Sequence, residues 1–561
     1  TMDTKINVCR GLTQRRALYL VVIAVLLILL GKDFHLGVYL QSNAFSFTSE
    51  PYGHRNEAGD GNQTDNISEA KHNNNGREHD DSNSSLPSAS SLIDLYKNYT
   101  QCMLETEQMM HPLIYKWREE RIPFPYSVKI IDGQFYALVL IDHVRHLENR
   151  LRDSKEILCN GIRGGTIYGF RTRYRTSQLV VRCPAVVDPT VSALTTLSFV
   201  TTPDNNINNT QTYTHDTVKF DECERMHIAY FKLLQGLRGR PAKVGLTATI
   251  RSEIFQDFDG KDKGKSDKWK KMRQATIQWA TYHHLLGVEH IWIYINEPWY
   301  NGMDMPYRDY ITWIPYNMNI YNYPNITKFP GDLTYMECFR GASQTDAIWR
   351  ARQAGMDWIA IIDIDEYIRV GSPCREGRCN TTTRDPHAVG ALSRFLERVT
   401  PTASSDANST DSSIYKDEYG RIMGGIRLES NHYTRNSLID TGKNIKNVLD
   451  NVWRIKGDAN YTKSGTQRDS RHKAIIVPNM VVSYQIHYVT GSSVPAYFCC
   501  NGLTQKYMDD DVTINHYKNP WKRKNKGNNL EKETAVKNNF LDLVIETMGK
   551  ERSSDEIYVT V

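Results

Sequence analysis

Apolar and polar positions alternate along this chain with four different rhythms. The first is an unbroken apolar run, ALYLVVIAVLLILL at 17–30, preceded by Lys5, Arg10, Arg15 and Arg16 and closed by Lys32-Asp33. A membrane span takes about 20 apolar residues, so GKDFHLGVYL must extend the run, with Lys32 reaching back to the interface. The positive flank predicts a type II anchor over 17–40, a cytoplasmic tail over 1–16 and everything later in the lumen. A cleaved signal peptide is the rival reading, with Ser42-Asn43-Ala44 as a weak cleavage site. Residues 41–91 carry almost no large apolar side chains and read as a glycosylated stem too polar to offset its ordering entropy.

Short β-rich runs follow, FYALVLI (135–141), LVVRCPAVV (179–187) and ALTTLSFVTT (193–202), and predict a mostly β accessory domain over 92–235. From 236 to 550 strand and helix periods alternate, which predicts an α/β domain. KVGLTATI (243–250) reads as a buried strand and HIWIYI (290–295) as its neighbour. Between them, 268–286 spaces Met272, Ala275, Trp279, Tyr282 and Leu286 as a helix ended by Gly287. A second helix over 341–355 ends at Gly355 and leads into DWIAIIDIDEYI at 357–368.

That last segment carries the candidate chemistry. Side chains two apart on a strand share a face, so Asp363 and Asp365 are expected to aim together, with Ile364 turned into the core and Glu366 turned away. Paired carboxylates at a buried strand's end repel unless a cation joins them, and hard oxygen ligands suit Mn2+ or Mg2+. The carboxyl edge of an α/β sheet is also where ligands bind.

Composition narrows the compartment and the partners. A net charge of +5 over 561 residues does not suggest a nucleic-acid binder. The 32 Tyr and 10 Trp suit sugar stacking, although core and surface packing account for most of them. Nine N-x-S/T triplets, at Asn62, Asn66, Asn83, Asn98, Asn208, Asn325, Asn380, Asn408 and Asn460, fit a lumenal address. Of the ten cysteines, Cys9 falls on the cytoplasmic side; Cys374 and Cys379 suggest a local loop disulfide, and adjacent Cys499 and Cys500 different partners. The odd lumenal count leaves one thiol over, and Cys102, near the stem, is the candidate for a link in a possible homodimer.

Four ordered segments carry a family likeness: IQWATYHHLLGVEHIWIYIN (277–296), ECFRGASQTDAIWRARQAGMDWIAIIDIDEYI (337–368), RHKAIIVPNMVVSYQIHYV (471–489) and INHYKNPW (514–521). Through them the chain resembles glycosyltransferase family 92, which includes galactosyltransferases acting on glycans. The resemblance implies a GT-A-type fold, an inverting mechanism, UDP-galactose as donor, a glycan acceptor and a Golgi membrane address. It places Asp363 and Asp365 in the family's metal-binding acidic motif with Glu366 beside them. His487, ending VVSYQIH, is the expected further metal ligand, and His516 competes for that role. By analogy with the fold, the donor's base and ribose point to Thr249, Arg251, Asn296 and Glu297. Lys473 either meets the diphosphate or faces solvent.

An inverting transfer needs a carboxylate to deprotonate the acceptor hydroxyl. Glu429 and Asp511 lead, Asp440 and the rest of Asp509–Asp511 follow, and Glu366 is counted with them. The basic stretches 260–273 and 517–529 read as solvated surface, the second with a lid as the alternative. Two other classes compete: a non-catalytic glycan-binding protein on a transferase fold, against which the intact D-I-D-E stands, and an adhesion ectodomain, which would show repeated β modules.

Overall fold

The structure is a computed structural model that describes residues 89–560 apart from internal segments, the longest being 143–155, 252–264, 316–331, 372–387, 400–423, 437–447, 456–472 and 493–511. The expected anchor and tail, nearly all of the stem, eight of the sequons, and Cys374, Cys379, Cys499 and Cys500 lie outside the described residues. Among the described residues, no helix is long and apolar enough to cross a membrane.

The β-rich region forms two antiparallel sheets. One has the order β1 (Phe124–Ile131), β2 (Gln134–Asp142), β6 (Thr176–Ala185), β5 (Thr166–Arg173). The other runs β4 (Ile162–Arg163), β3 (Glu156–Cys159), β7 (Thr196–Thr201), β8 (Gln211–Asp216). Strict alternation explains the layering, because both faces of the first sheet are apolar. Phe135, Ala137, Val139, Leu179 and Val181 share one core with Ile157, Leu197 and Phe199 of the second sheet. Tyr136, Leu138 and Val180 point the opposite way, into the main core. The Cys159–Cys183 disulfide ties β3 to β6 and so one sheet to the other. Asn160-Gly161 makes the two-residue turn between β3 and β4, with φ of 51° and 77°, the left-handed pair that an Asn-Gly hairpin supplies without strain.

Helices bracket this mostly β region. Helix α1 (Ala89–Glu120) packs on α2 (Val218–Arg238), and Cys102–Cys223 joins them. Cys102 is therefore bonded within its own chain, and the sequence-based expectation of a free or intermolecular Cys102 thiol is corrected: its partner lies 121 residues away, beyond the reach of spacing arguments.

The α/β region is built on β9 (Val244–Arg251), helix α3 (Lys265–Leu286), β10 (His290–Asn296), β11 (Asp304–Pro306) and β12 (Ile311–Pro315). Helix α4 (Asp332–Gln353) and β13 (Trp358–Ile361) follow. Gly287 ends the α3 turn at φ 113° and Gly355 that of α4 at φ 69°, as their positions suggested. Next come β14 (Glu366–Val370), α5 (Ala391–Val399), β15 (Gly425–Asn436), β16 (Trp453–Ile455) and β17 (Lys473–Ile476). The main sheet runs β12-β10-β9-β13-β17-β15-β16, with β9, β10, β12 and β13 parallel and β17 antiparallel to β13. The chain thus builds outward from β9 through β10 to β12, then returns to lay β13 on the other side of β9. Such a reversal opens a crevice beyond the carboxyl ends of the two strands.

The remaining strands are β18 (Val481–Gln485), β19 (Tyr488–Ser492), β20 (Val512–His516), β21 (Lys524–Asn525), β22 (Leu530–Lys532) and β23 (Tyr558–Thr560), with α6 at Ala535–Ser553. β20 lies between β14 and the middle of β15. Side chains from α3 satisfy backbone groups of β14. Trp279 Nε1 donates to Glu366 O at 2.7 Å and Tyr282 Oη to Ile368 O at 2.6 Å, while His283 Nε2 accepts the Ile368 N–H at 3.2 Å. That acceptor role, with Nδ1 donating to Trp279 O at 2.8 Å, makes His283 the neutral Nδ1–H tautomer, and burial pushes its pKa down to about 3.

A buried ionic quartet joins the β-rich region to the main sheet. Asp346 of α4 accepts from Arg350 Nε (2.7 Å), Tyr294 Oη (2.6 Å) and Ser127 Oγ (2.5 Å). Lys129 of β1 sits 3.6 Å from Asp346 and bonds Glu224 of α2. All four charged side chains are no more than 5% exposed.

Candidate active site

β13 stops earlier than its apolar run suggested. Four buried residues, Trp358 to Ile361, form the strand, and Glu366 N–H donates to Asp363 O at 3.0 Å, closing a turn over 363–366. Ile364 is buried in the core as expected. Glu366 is not turned away, which corrects the alternation argument. Once the chain turns, the period of two no longer applies, and the Glu366 carboxylate folds back to accept the Asp363 N–H at 2.8 Å. Its side chain is only 2% exposed.

The two aspartates meet different partners. Asp363 takes Lys473 Nζ on Oδ2 at 2.7 Å and Arg340 Nη2 on Oδ1. Lys473 also reaches Glu366 at 3.1 Å. It is the first residue of β17, paired with Leu428, and its side chain is buried, so it does not face solvent. Arg340 comes from α4, whose carbonyl there accepts the Ser343 hydroxyl at 2.9 Å; Ser343 in turn bonds Thr249 Oγ1 at 2.8 Å. Asp365 instead faces His516 Nε2 at 3.3 Å, and both side chains are 13% exposed. His516 ends β20, directly opposite Glu366 in β14, and its Nδ1 lies 3.8 Å from Glu366 Oε1.

The charges explain the proton affinities. Burial raises the pKa of Glu366 against the pull of Lys473, and the neighbouring Asp363 and Asp365 add to the rise. Burial would lower His516, but the Asp365 charge and hydrogen bond outweigh it and hold the imidazole above its ordinary value. Three carboxylates thus share two permanent cations and one titratable imidazole. Among the described residues, no group of three or more His, Cys, Asp or Glu is arranged to hold a metal ion.

The parallel register places the other candidates. Ile361 pairs with Thr247 and Asn296 with Arg251, so the ends of β9, β10 and β13 emerge at one edge, the edge of the crevice. Thr249 is buried with its hydroxyl on Ser343. Glu429 has its backbone opposite Thr513, three residues along from the His432–His516 pair, roughly 10 Å at the usual rise per residue. Glu297, Asp440, His487 and Asp511 lie outside the described residues. Val512, the first described residue after Asp511, pairs with Val370 at the far end of β14 from Glu366. Arg340 was missed by sequence reasoning; its one signal was a cation inside ECFRGAS, which lies within helix α4, a helix that begins nine residues earlier than expected.

No family model matches the chain, and no curated protein sequence matches it.

Proposed function

We propose that this chain is a metal-dependent inverting glycosyltransferase. In this reading, a GT-A-type domain moves galactose from UDP-galactose onto a glycan acceptor, anchored in the Golgi membrane with its site in the lumen. The observation that carries the proposal is the acidic turn at the carboxyl end of β13, beside β9 where the strand order reverses, with Asp365 and His516 side by side and partly exposed. The likeness to glycosyltransferase family 92 supplies the donor and the stereochemistry. The two disulfides suit an oxidising lumen.

The residues present fit a divalent ion at Asp365 and His516, a carboxylate and an imidazole of the kinds Mn2+ accepts, with the remaining positions left to diphosphate and water. Asp363 fits a different task, since each of its oxygens already holds a cation. A bound divalent ion would neutralise charge developing on the departing UDP. Arg340 and Lys473 lock Asp363, Glu366 clamps the turn through the Asp363 N–H, and Asp365 is thereby held at the rim. Glu366, buried and bonded on both sides, serves as a structural clamp; the acceptor's base is sought at Glu429 or Asp511. Arg251 and Asn296 remain donor-facing candidates, because their strands end at the same edge, and Glu297 remains one as the next residue in sequence.

The test is UDP release by the secreted chain from a panel of UDP-sugars, with Mn2+ and with EDTA. Release from UDP-galactose that EDTA abolishes is the expected result. Release unaffected by EDTA, or equal release by Asp365→Asn, would overturn the assignment.

A further inference from the structure

Of the nine sequons, Asn98-Tyr99-Thr100 falls on described residues, inside helix α1. Asp94, Lys97, Asn98, Gln101 and Glu105 are exposed, a spacing that makes them the solvent stripe of the helix. Tyr99 and Thr100 point the other way and are fully buried, and the Thr100 hydroxyl donates to Tyr96 O at 2.9 Å. We propose that Asn98 carries an N-linked glycan, attached before α1 docks; this rests on the lumenal address proposed above.

The folded sequon presents a contradiction that the order of synthesis resolves. An enzyme reading the sequon must reach the Thr100 hydroxyl, which the folded helix hides. The partners that hold α1, however, all come later in the chain. It packs on α2, β12 and β23, Tyr96 Oη accepts the Trp313 N–H, and Cys102 waits for Cys223. An isolated helix is marginal without packing. At roughly 5–20 residues per second, the 121 residues to Cys223 leave a window of roughly 6–25 s in which the sequon is unfolded and accessible. In the transfer, the Asn98 amide nitrogen bonds to C1 of the first sugar of a lipid-diphosphate oligosaccharide. The C1–O bond to the diphosphate breaks, the lipid diphosphate leaves with the electron pair, and the amide gives up a proton to the enzyme. Once attached, the glycan extends from the exposed stripe and displaces nothing in the core.

The test expresses the full chain in a secretory eukaryotic cell and removes glycans enzymatically in 18O-water. Each occupied asparagine then becomes an aspartate about 3 Da heavier, read by peptide mass. Most copies should carry the label at Asn98, and Asn98→Gln should lose one glycan step in gel mobility. An empty Asn98 beside other occupied sequons overturns this inference and leaves the lumenal address standing; no occupied sequon anywhere overturns both. Offered the membrane-bound transferase and lipid-linked oligosaccharide, the folded, oxidised, glycan-free chain should stay unmodified at Asn98, whereas the reduced and unfolded chain should accept the glycan. Equal labelling of both would overturn the timing.

Discussion

Helix α4 carries two ionic clusters, and they are built to opposite rules. At its carboxyl half, Asp346 and Arg350 join Lys129 and Glu224: two carboxylates and two cations, all buried, with hydroxyls from Ser127 and Tyr294 completing the bonds. Near its amino half, Arg340 joins Lys473 against three carboxylates, Asp363, Asp365 and Glu366. One deeply buried carboxylate from each cluster, Asp346 and Glu366, responds in the opposite direction to the other. Burial would raise Asp346, yet Arg350 and Lys129 hold it well below the usual carboxylate range. Glu366 is raised: burial pushes it up more than Lys473 and His516 pull it down, and Asp363 and Asp365 add to the rise. A balanced cluster is glue; the second cluster has two permanent cations for three carboxylates and keeps Asp365 and His516 at a partly exposed rim.

The strongest way to break this contrast is to exchange the phenotypes. Asp346→Ala should destabilise the fold by about 3–5 kcal/mol, since it leaves Arg350 buried without its bonded carboxylate and Lys129 with Glu224 alone. Asp365→Asn should lower transfer by roughly 10²–10³-fold, the scale of losing one electrostatic stabiliser of the transition state, with the urea midpoint unchanged. Loss of stability in the second variant, or full stability in the first, would erase the distinction. A gentler version replaces Lys129 and Glu224 together by apolar residues of similar size. That double variant should stay within about 1–2 kcal/mol of the parent, far above either single replacement, measured by denaturant unfolding.

A further effect is in pH. His283 is neutral when folded, with its pKa near 3, so the unfolded chain binds the extra proton between about pH 3 and 6.5. Its contribution to stability is therefore complete above about pH 6.5 and falls by about 1.4 kcal/mol per unit as pH drops through that window. His516 has the opposite sign: its raised pKa adds stability below about pH 6.5 that is lost as pH rises through the folded value. Urea midpoints against pH should therefore show a flatter acid limb in His283→Gln and lose an alkaline-side decline in His516→Gln.

The sequence revealed the parts of this arrangement that depend on local pattern. The apolar run at 358–362, Gly287, Gly355 and the helix over 268–286 follow from periodicity and caps, and the structure has them within a few residues. The alternation argument failed at Glu366 because it carried a strand rule through a turn. The partners of Asp363 were illegible for another reason: Lys473 lies 110 residues away, and Arg340 approaches from a helix rather than a strand. Cys102 was misjudged on the same ground, since no spacing announces a bond to Cys223. His516 came within reach of Asp365 only through the β14–β20 register, which local sequence does not encode.

The two-faced sheet of β1, β2, β6 and β5 has a consequence for how such a chain can change over evolution. Its outer apolar face, with Tyr136, Leu138 and Val180, is continuous with the core of the α/β region. Trading the amino-terminal region for an unrelated module would bare that core and strand Asp346 and Arg350 in the same step. Insertions at loop tips are tolerable; exchange of whole modules is not, so the two regions must be inherited together.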